Sequence, residues 1–374
     1  MTRPAIQPTA ANRLGLDYRA EASRFPVAGS LRDLPIIDAH THINGRRAAA
    51  LYGEVAALYG VRLTYSMTWW DEVPAVRETL GDRVRFIAFP RAQHMHRDRD
   101  LPAMGLIRQI EEFHAAGARM LKFWMGPRII DFVPEVDPAI LQRLDAPPRL
   151  EAMERAAELD MMFMVHVADP DTWFRTTYAD TARYRAKPEH YEGLERVLEI
   201  HRDRPWIAAH MGGWPEDLEF LTRLLERHEH LHLDTSACKW MVRELGRHPR
   251  EALLTFLERF RDRILFGSDI VVTEEHLAAA GDSPMAEKAG SPEEAFDLYA
   301  SRYWAFRTMF ETPHRGESPI ADPDLALVEP ERYDAMSAPP LVGRDLDPDL
   351  LRAIYHDNAH RLLGHWYGDH EQDW

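Results

Sequence analysis

"PIIDAHTHI" (Pro35–Ile43) places Asp38, His40 and His42 at alternate positions of a short apolar run. At the two-residue period of a strand, this spacing sends those three side chains to one face. Ile37, Ala39, Thr41 and Ile43 go to the other. Imidazoles and a carboxylate on a buried strand face are costly unless something pairs with them. The stretch therefore predicts a strand whose polar partner is supplied elsewhere in the chain.

Seven further β-type runs come after it: "VRLTYSM" (61–67), "VRFIAFP" (84–90), "ARMLKFW" (118–124), "MMFMVHV" (161–167), "PWIAAHM" (205–211), "LHLDTSA" (231–237) and "RILFGSD" (263–269). Segments of helical spacing separate them. In "LPAMGLIRQIEEFHAAG", Met104, Ile107, Ile110 and Phe113 share one face, and Gly117 stands where a helix C-cap does. In "PEDLEFLTRLLERH", Pro215 stands at the start and Leu218, Leu221 and Leu225 lie on one side. Strands alternating with helices over roughly 235 residues match an α/β fold of the (β/α)8 TIM-barrel type. An open doubly wound sheet also alternates, but no glycine-rich phosphate loop follows the first strand. Residues 1–34 are polar and turn-rich, an N-terminal arm ahead of a barrel spanning 35–374, with a long excursion over 275–348 before the final helix.

Composition narrows the partners. The 374 residues are 45% hydrophobic and carry 45 basic against 61 acidic side chains, a net charge of −16. That balance argues against nucleic acid or an anionic membrane, which require a clustered basic surface. The opening "MTRPAIQPTAANR" has no apolar core of signal-peptide length, and no run approaches the roughly 18 apolar residues of a membrane span. A single cysteine, Cys238, excludes an intrachain disulfide framework and fits a reducing compartment. The expectation is a cytoplasmic protein acting on a small molecule. The N-terminal arm and the excursion are compatible with a homo-oligomer.

Barrel active sites form at the C-terminal ends of the strands, which makes the ionisable residues there the ones to count. They are His40 and His42 on strand one, Lys122 near the end of strand four, His166 on five, His210 on six and Asp269 on eight. Neutral imidazoles and a carboxylate form the usual ligand set for zinc and its neighbours.

In this order, "IDAHTHI", "GARMLKFW", "HMGG", "ILFGSD" and the final "LLRAIYHDNAHRLLG" resemble the amidohydrolase superfamily of metal-dependent barrel enzymes. The likeness is to the amidohydrolase-2 branch, which contains aminocarboxymuconate-semialdehyde decarboxylase and related hydrolases. The resemblance implies metal ligation by His40, His42, His166 and Asp269, with Asp269 also shuttling a proton. It implies that His210 orients or deprotonates the nucleophilic water. One divalent ion is expected, zinc first and manganese second; two would require a carboxylated Lys122, and His210 would then bind the second. Other readings of Lys122 are a substrate anchor or a structural ion pair. Asp38 reads as a buttress for the strand or for a ligand histidine.

Lys122, Trp124, Arg128 and Trp214 are the substrate-binding candidates, because aromatics with a few cations suit a cyclic or carboxylated substrate. Trp69, Trp70, Arg91 and Trp173 lie on the same loops, and Arg302 and Trp304 sit in the excursion. "HMH" (His94–His96) and "HEHLH" (His228–His232) repeat the His-x-His spacing, but the first reads as a solvated loop and the second as the entry to strand seven. Asp234 reads as a buried, hydrogen-bonded core carboxylate. The leading activity is hydrolysis of a small ester, lactone or amide. Nonoxidative decarboxylation of a conjugated or aromatic acid comes second, and a noncatalytic metal-binding barrel third.

Overall fold

The computed structural model describes residues 8–90, 102–279 and 285–368. Every β-type run yields a strand: β1 Ile36–Ile43, β2 Val61–Ser66, β3 Val84–Phe86, β4 Met120–Trp124, β5 Met162–His166, β6 Trp206–Ala208, β7 Leu231–Asp234 and β8 Ile264–Leu265. A short β9, Ile270–Val272, pairs with the far side of β1. The parallel strands form two arcs, β3-β2-β1-β9 and β4-β5-β6-β7-β8. Backbone hydrogen bonds join the arcs on both sides. Ala88 accepts from Lys122 N at 2.8 Å and donates to Met120 O at 2.8 Å, while Ala39 N donates to Phe266 O at 2.9 Å. The result is a (β/α)8 barrel of the TIM type.

Two layers of apolar burial hold the ring. Ile37, Leu63, Ile87, Met120, Met162, Met164, Ile207 and Leu265 fill the interior, where the pliable methionines suit an irregular space. Ala359 and Leu363 of the last helix, Asn358–Tyr367, pack into that cluster from the ends at which the strands begin. Asn358 fixes this plug by donating to Ile264 O at 2.8 Å and to Arg261 O at 2.6 Å. Outside the ring, the excursion supplies a long helix, Pro292–Glu311, buried along most of its length. The chain ahead of β1 packs on it: Asn12 donates to Asp297 at 2.8 Å and Trp304 to Glu21 at 3.0 Å.

Three expectations are corrected here. Strand β1 does not alternate strictly. Asp38 pairs with Thr64 and Thr41 with Ser66, so β1 carries one more residue than β2 over that interval, a β-bulge. The extra residue breaks the common face: Asp38 turns to Tyr303 of the long helix, whereas His40 and His42 line a cavity. Run 263–269 is also not one strand. Its ladder stops after Leu265, and Asp269 takes a left-handed backbone with φ 56° before β9 begins. Finally, the helix expected from Pro215 starts at Leu218, because the Asp217 carboxylate caps it by accepting from Phe220 N at 2.8 Å. Helix Pro102–Ala115 does close as read, with Gly117 at φ 97° and Ala118 N bonded to Phe113 O at 2.9 Å.

Asp217→Ala removes a side-chain cap and is expected to cost about 1 kcal/mol of stability. A lower urea midpoint with unchanged slope checks this; an unchanged midpoint would place the helix start elsewhere.

Candidate metal centre and active site

At the C-terminal ends of the strands, one cavity of about 390 Å3 is lined by His40, His42, Lys122, His166, His210 and Asp269 among others. The bulge in β1 and the left-handed turn at Asp269 aim the first and last of these at one another. Asp269 Oδ1 lies 3.5 Å from His40 Nε2 and 3.3 Å from His42 Nε2, and Asp269 N donates to His40 O at 2.8 Å. Burial works to raise the Asp269 pKa, but the hydrogen bond from His42 and the nearby imidazoles hold it far below the usual carboxylate range.

Asp234 organises the opposite side. Its Oδ2 accepts from His40 Nδ1 at 2.7 Å; its Oδ1 accepts from His210 N at 2.8 Å, Ser236 N at 3.0 Å and the Ser236 hydroxyl. With its proton on Nδ1, His40 carries the Nε2 lone pair, and that atom is buried without a hydrogen-bond partner. Ser236 Oγ, having donated to Asp234, accepts from His210 Nδ1 at 2.7 Å, which leaves the lone pair of His210 on Nε2 as well. Burial lowers the pKa of His40 and pulls that of His210 well below the ordinary imidazole value, keeping both rings neutral.

This closeness depends on a glycine. A Cβ at Gly267 would lie 2.9 Å from His40 Cβ and 3.3 Å from Ser236 Cβ. Only a residue without a side chain lets the last strand run so near both. Asp38 supports β1 from behind, accepting from His40 N at 3.1 Å, Ser268 N at 3.0 Å and Tyr303 Oη at 2.8 Å. Burial pushes its carboxyl up to about 7.

Among the described residues, two groups of ligand-type atoms converge: His40, His42 and Asp269, and His40, His210 and Asp234. In the second, both Asp234 oxygens and His40 Nδ1 are already spent on one another and on Ser236. In the first, the unpartnered His40 Nε2 faces a strongly ionised carboxylate, a donor set that fits a divalent ion.

The family model described as Amidohydrolase matches residues 37–365. The chain belongs to the amidohydrolase family. Among solved structures, it is similar to an amidohydrolase from Burkholderia multivorans with bound zinc, at 14% identity over 89% of this chain and 99% of that chain, TM-score 0.45. It is also similar to 5-carboxyvanillate decarboxylase from Novosphingobium aromaticivorans complexed with manganese and 4-hydroxy-3-methoxy-5-nitrobenzoic acid, at 10% identity over 90% and 97%, TM-score 0.44. A third similar structure is N-acetyl-D-glucosamine-6-phosphate deacetylase from Mycobacterium smegmatis, at 12% identity over 73% and 75%, TM-score 0.35. No curated protein sequence matches.

His166, expected as the strand-five ligand, stands apart from the tight group. It lines the cavity, with its ring centroid 4.8 Å from that of His210, but its Nε2 lies 2.9 Å from Asp169 Oδ1. Asp169 is itself held by the Tyr178 hydroxyl. Lys122 reaches the cavity floor with its ammonium buried and unpartnered; burial pulls its pKa down to about 8. Trp124 and Arg128 also line the cavity, and the Arg128 guanidinium lies 4.9 Å from the Phe132 ring.

Trp214 does not line the cavity: it stacks on Tyr191 at 5.4 Å and packs against Phe220 at 4.6 Å. The left-handed turn at Gly213 carries it away from the mouth. Arg302 lines a neighbouring cavity, whereas Trp304 faces the N-terminal segment. Asp234 is the buried carboxylate expected, but its partners are the site histidines. Ser236, Asp169 and Trp240 were not singled out from the sequence. Ser236 follows Asp234 by the same two-residue step that marked β1, which was the available signal.

His94, His96 and Arg91 lie outside the described residues. His228, His230 and His232 belong to neither ligand group. His232 is buried at the start of β7, with Nδ1 3.2 Å from His230 O. Burial, followed by the charge of Arg263, lowers its pKa from 6.5 to about 4. A histidine that stays neutral when folded but protonates when unfolded removes stability as pH falls from 6.5 towards 4. In His232→Asn, urea unfolding across that range is therefore expected to show a shallower acid-side loss, by up to about one proton in slope. An identical slope would contradict a neutral buried His232.

Proposed function

We propose that the chain is a metal-dependent hydrolase of a small ester, lactone or amide whose substrate carries a ring or a carboxylate. The observation that carries this reading is His40 Nε2: buried, unpartnered, fixed as a lone-pair atom by Asp234, and facing Asp269. His40, His42 and Asp269 would hold one divalent ion, zinc or manganese. His166 would join them through Nδ1, because Asp169 occupies its Nε2. A carboxylate on the remote nitrogen is the usual support of a ligand imidazole. When bound, the ion supplies polarisation of a carbonyl oxygen and acidifies water.

The residues of the chain supply the rest. His210 is held neutral, with its Nδ1 proton on Ser236, and so offers Nε2 to take a proton from an attacking water. Asp269 stands beside it as a second proton acceptor. Phe89, Trp124, Trp173 and Trp240 wall the cavity with flat apolar surface, which suits a planar substrate body and excludes bulk water. Lys122 and Arg128 have unpartnered buried nitrogens in that wall and can orient an anionic or carbonyl oxygen. A general base next to the ligand group favours catalysis over a closed structural site, which needs none. Among the described residues, no helix is long and apolar enough to cross a membrane.

Metal analysis of the purified protein is expected to find about one equivalent per chain, lost in Asp269→Ala and His40→Ala. Two equivalents would favour the carboxylated form of Lys122. His210→Asn is expected to retain the ion and lose turnover by about 10²–10⁴-fold. Loss of metal in that variant would make His210 a ligand instead of a base. A panel of lactones, amides and aromatic acids, followed for acid release and carbon dioxide release in parallel, separates hydrolysis from decarboxylation. Carbon dioxide release alone would overturn the hydrolytic assignment.

A further inference from the structure

A second cavity, of about 230 Å3, adjoins the first and shares Trp173, Trp240, Asp269 and Val271 with it. Its wall bears cations from separate elements. Lys239 comes from the helix Cys238–Leu245 that follows β7, Lys288 from the turn Ala286–Lys288, and Arg302 from the long helix. Lys239 and Arg302 are half-buried, and Lys288 is exposed at the rim.

None of them forms an ion pair among the described residues; Asp322 and Asp269 act on Lys239 and Lys288 only at longer range. The Arg302 guanidinium donates to Ser301 Oγ at 2.8 Å, and the Lys288 ammonium meets only Met285 Sδ, at 3.5 Å. The carboxylates in the same wall are already engaged. Asp324 accepts from Trp173 at 3.0 Å, Trp240 at 3.3 Å and Arg243 at 3.3 Å, and Asp269 faces His40 and His42. In a chain with 61 acidic and 45 basic residues, most cations can find an acid; these converge on a pocket with none to spare.

Lys239 and Arg302, half-buried without a direct ion pair, lose solvation that an anionic ligand restores. The shared walls Trp173 and Trp240 join this pocket to the one holding His40, His42 and His210. A single ligand can therefore occupy both.

We propose that Lys239, Lys288 and Arg302 form a subsite for a carboxylate that the substrate carries away from its reacting bond. The inference rests on the assignment of His40, His42 and Asp269 as the reactive centre, and it narrows the substrate class to anionic esters, lactones or amides. The planar fork of Arg302 matches the two oxygens of a carboxylate, and the lysines add charge without fixed direction.

The test uses the monomethyl esters of aliphatic dicarboxylic acids from malonic to adipic, each beside its uncharged dimethyl ester. Binding is read by quenching of tryptophan fluorescence, since Trp173 and Trp240 line both pockets. At least one monomethyl ester is expected to bind about tenfold or more tightly than its dimethyl ester. Arg302→Met is expected to abolish that preference, Arg302→Lys to keep part of it, and Lys239→Met to weaken it. Lys239→Met keeps the test decisive if the Arg302 variant fails to fold.

Equal affinity for every monomethyl ester and its dimethyl ester in the parent protein would overturn the proposal. So would an undiminished preference in folded Arg302→Met and Lys239→Met. Tighter binding of inorganic phosphate than of any monomethyl ester, lost in Arg302→Met, would overturn the carboxylate assignment. The preference is expected to persist after chelation of the metal, with metal content measured on the same samples. Protein that binds no metal but prefers the monomethyl esters refutes the proposed reactive centre alone; protein that binds metal without the preference refutes the subsite alone.

Discussion

The hydrogen bond from His40 Nδ1 to Asp234 Oδ2, 2.7 Å long and fully buried, is the interaction on which the rest of the site depends. It decides which nitrogen of His40 is free, and the same carboxylate holds His210 N and Ser236 in place. A buried carboxylate is tolerated only when its lone pairs are filled, and here the partners that fill them are residues to which the proposed chemistry gives roles. Burial opposes ionisation of Asp234, but His40 and His210 more than offset it and keep the group strongly acidic. Structural satisfaction and functional preparation are therefore the same set of bonds.

That hub can exist only because the barrel brings β1, β7 and the end of β8 within side-chain reach. Gly267 is the steric condition for it, since any Cβ there would press on His40 and Ser236. The bulge in β1 is the second condition. By inserting one residue between Asp38 and Thr41, it separates the buttress from the proposed ligands: Asp38 faces the Tyr303–Tyr52 pair outside, and His40 faces Asp234 and Asp269 within. The excursion after β8 then contributes from both sides of its long helix, Tyr303 behind the strand and Arg302 at the mouth.

Much of the barrel was legible because strand and helix periods are written locally, in the spacing of apolar residues. The runs at 161–167 and 205–211 needed nothing distant to be read as buried strands. Boundaries were less legible. The Asp217 cap competes with Pro215 for the helix start, and the ladder of the eighth run ends at Leu265, ahead of the left-handed backbone at Asp269. The residue types at the strand ends were legible, and the fold brings His40, His42, His166, His210 and Asp269 to one cavity. Trp214 was misplaced because a single left-handed turn at Gly213 redirects the chain immediately after it.

By itself, the sequence determined the alternation of strands and helices, the chemistry available at each strand end, and the family to which the chain belongs. Those properties are encoded over a few residues at a time. Only the tertiary structure decided that Asp234 serves His40 across 194 residues, that Ser236 bridges to His210, and that Lys239, Lys288 and Arg302 share one pocket. Hydrogen-bond partners and unpaired charges are set by which segments the closed ring brings into contact. No local period records that.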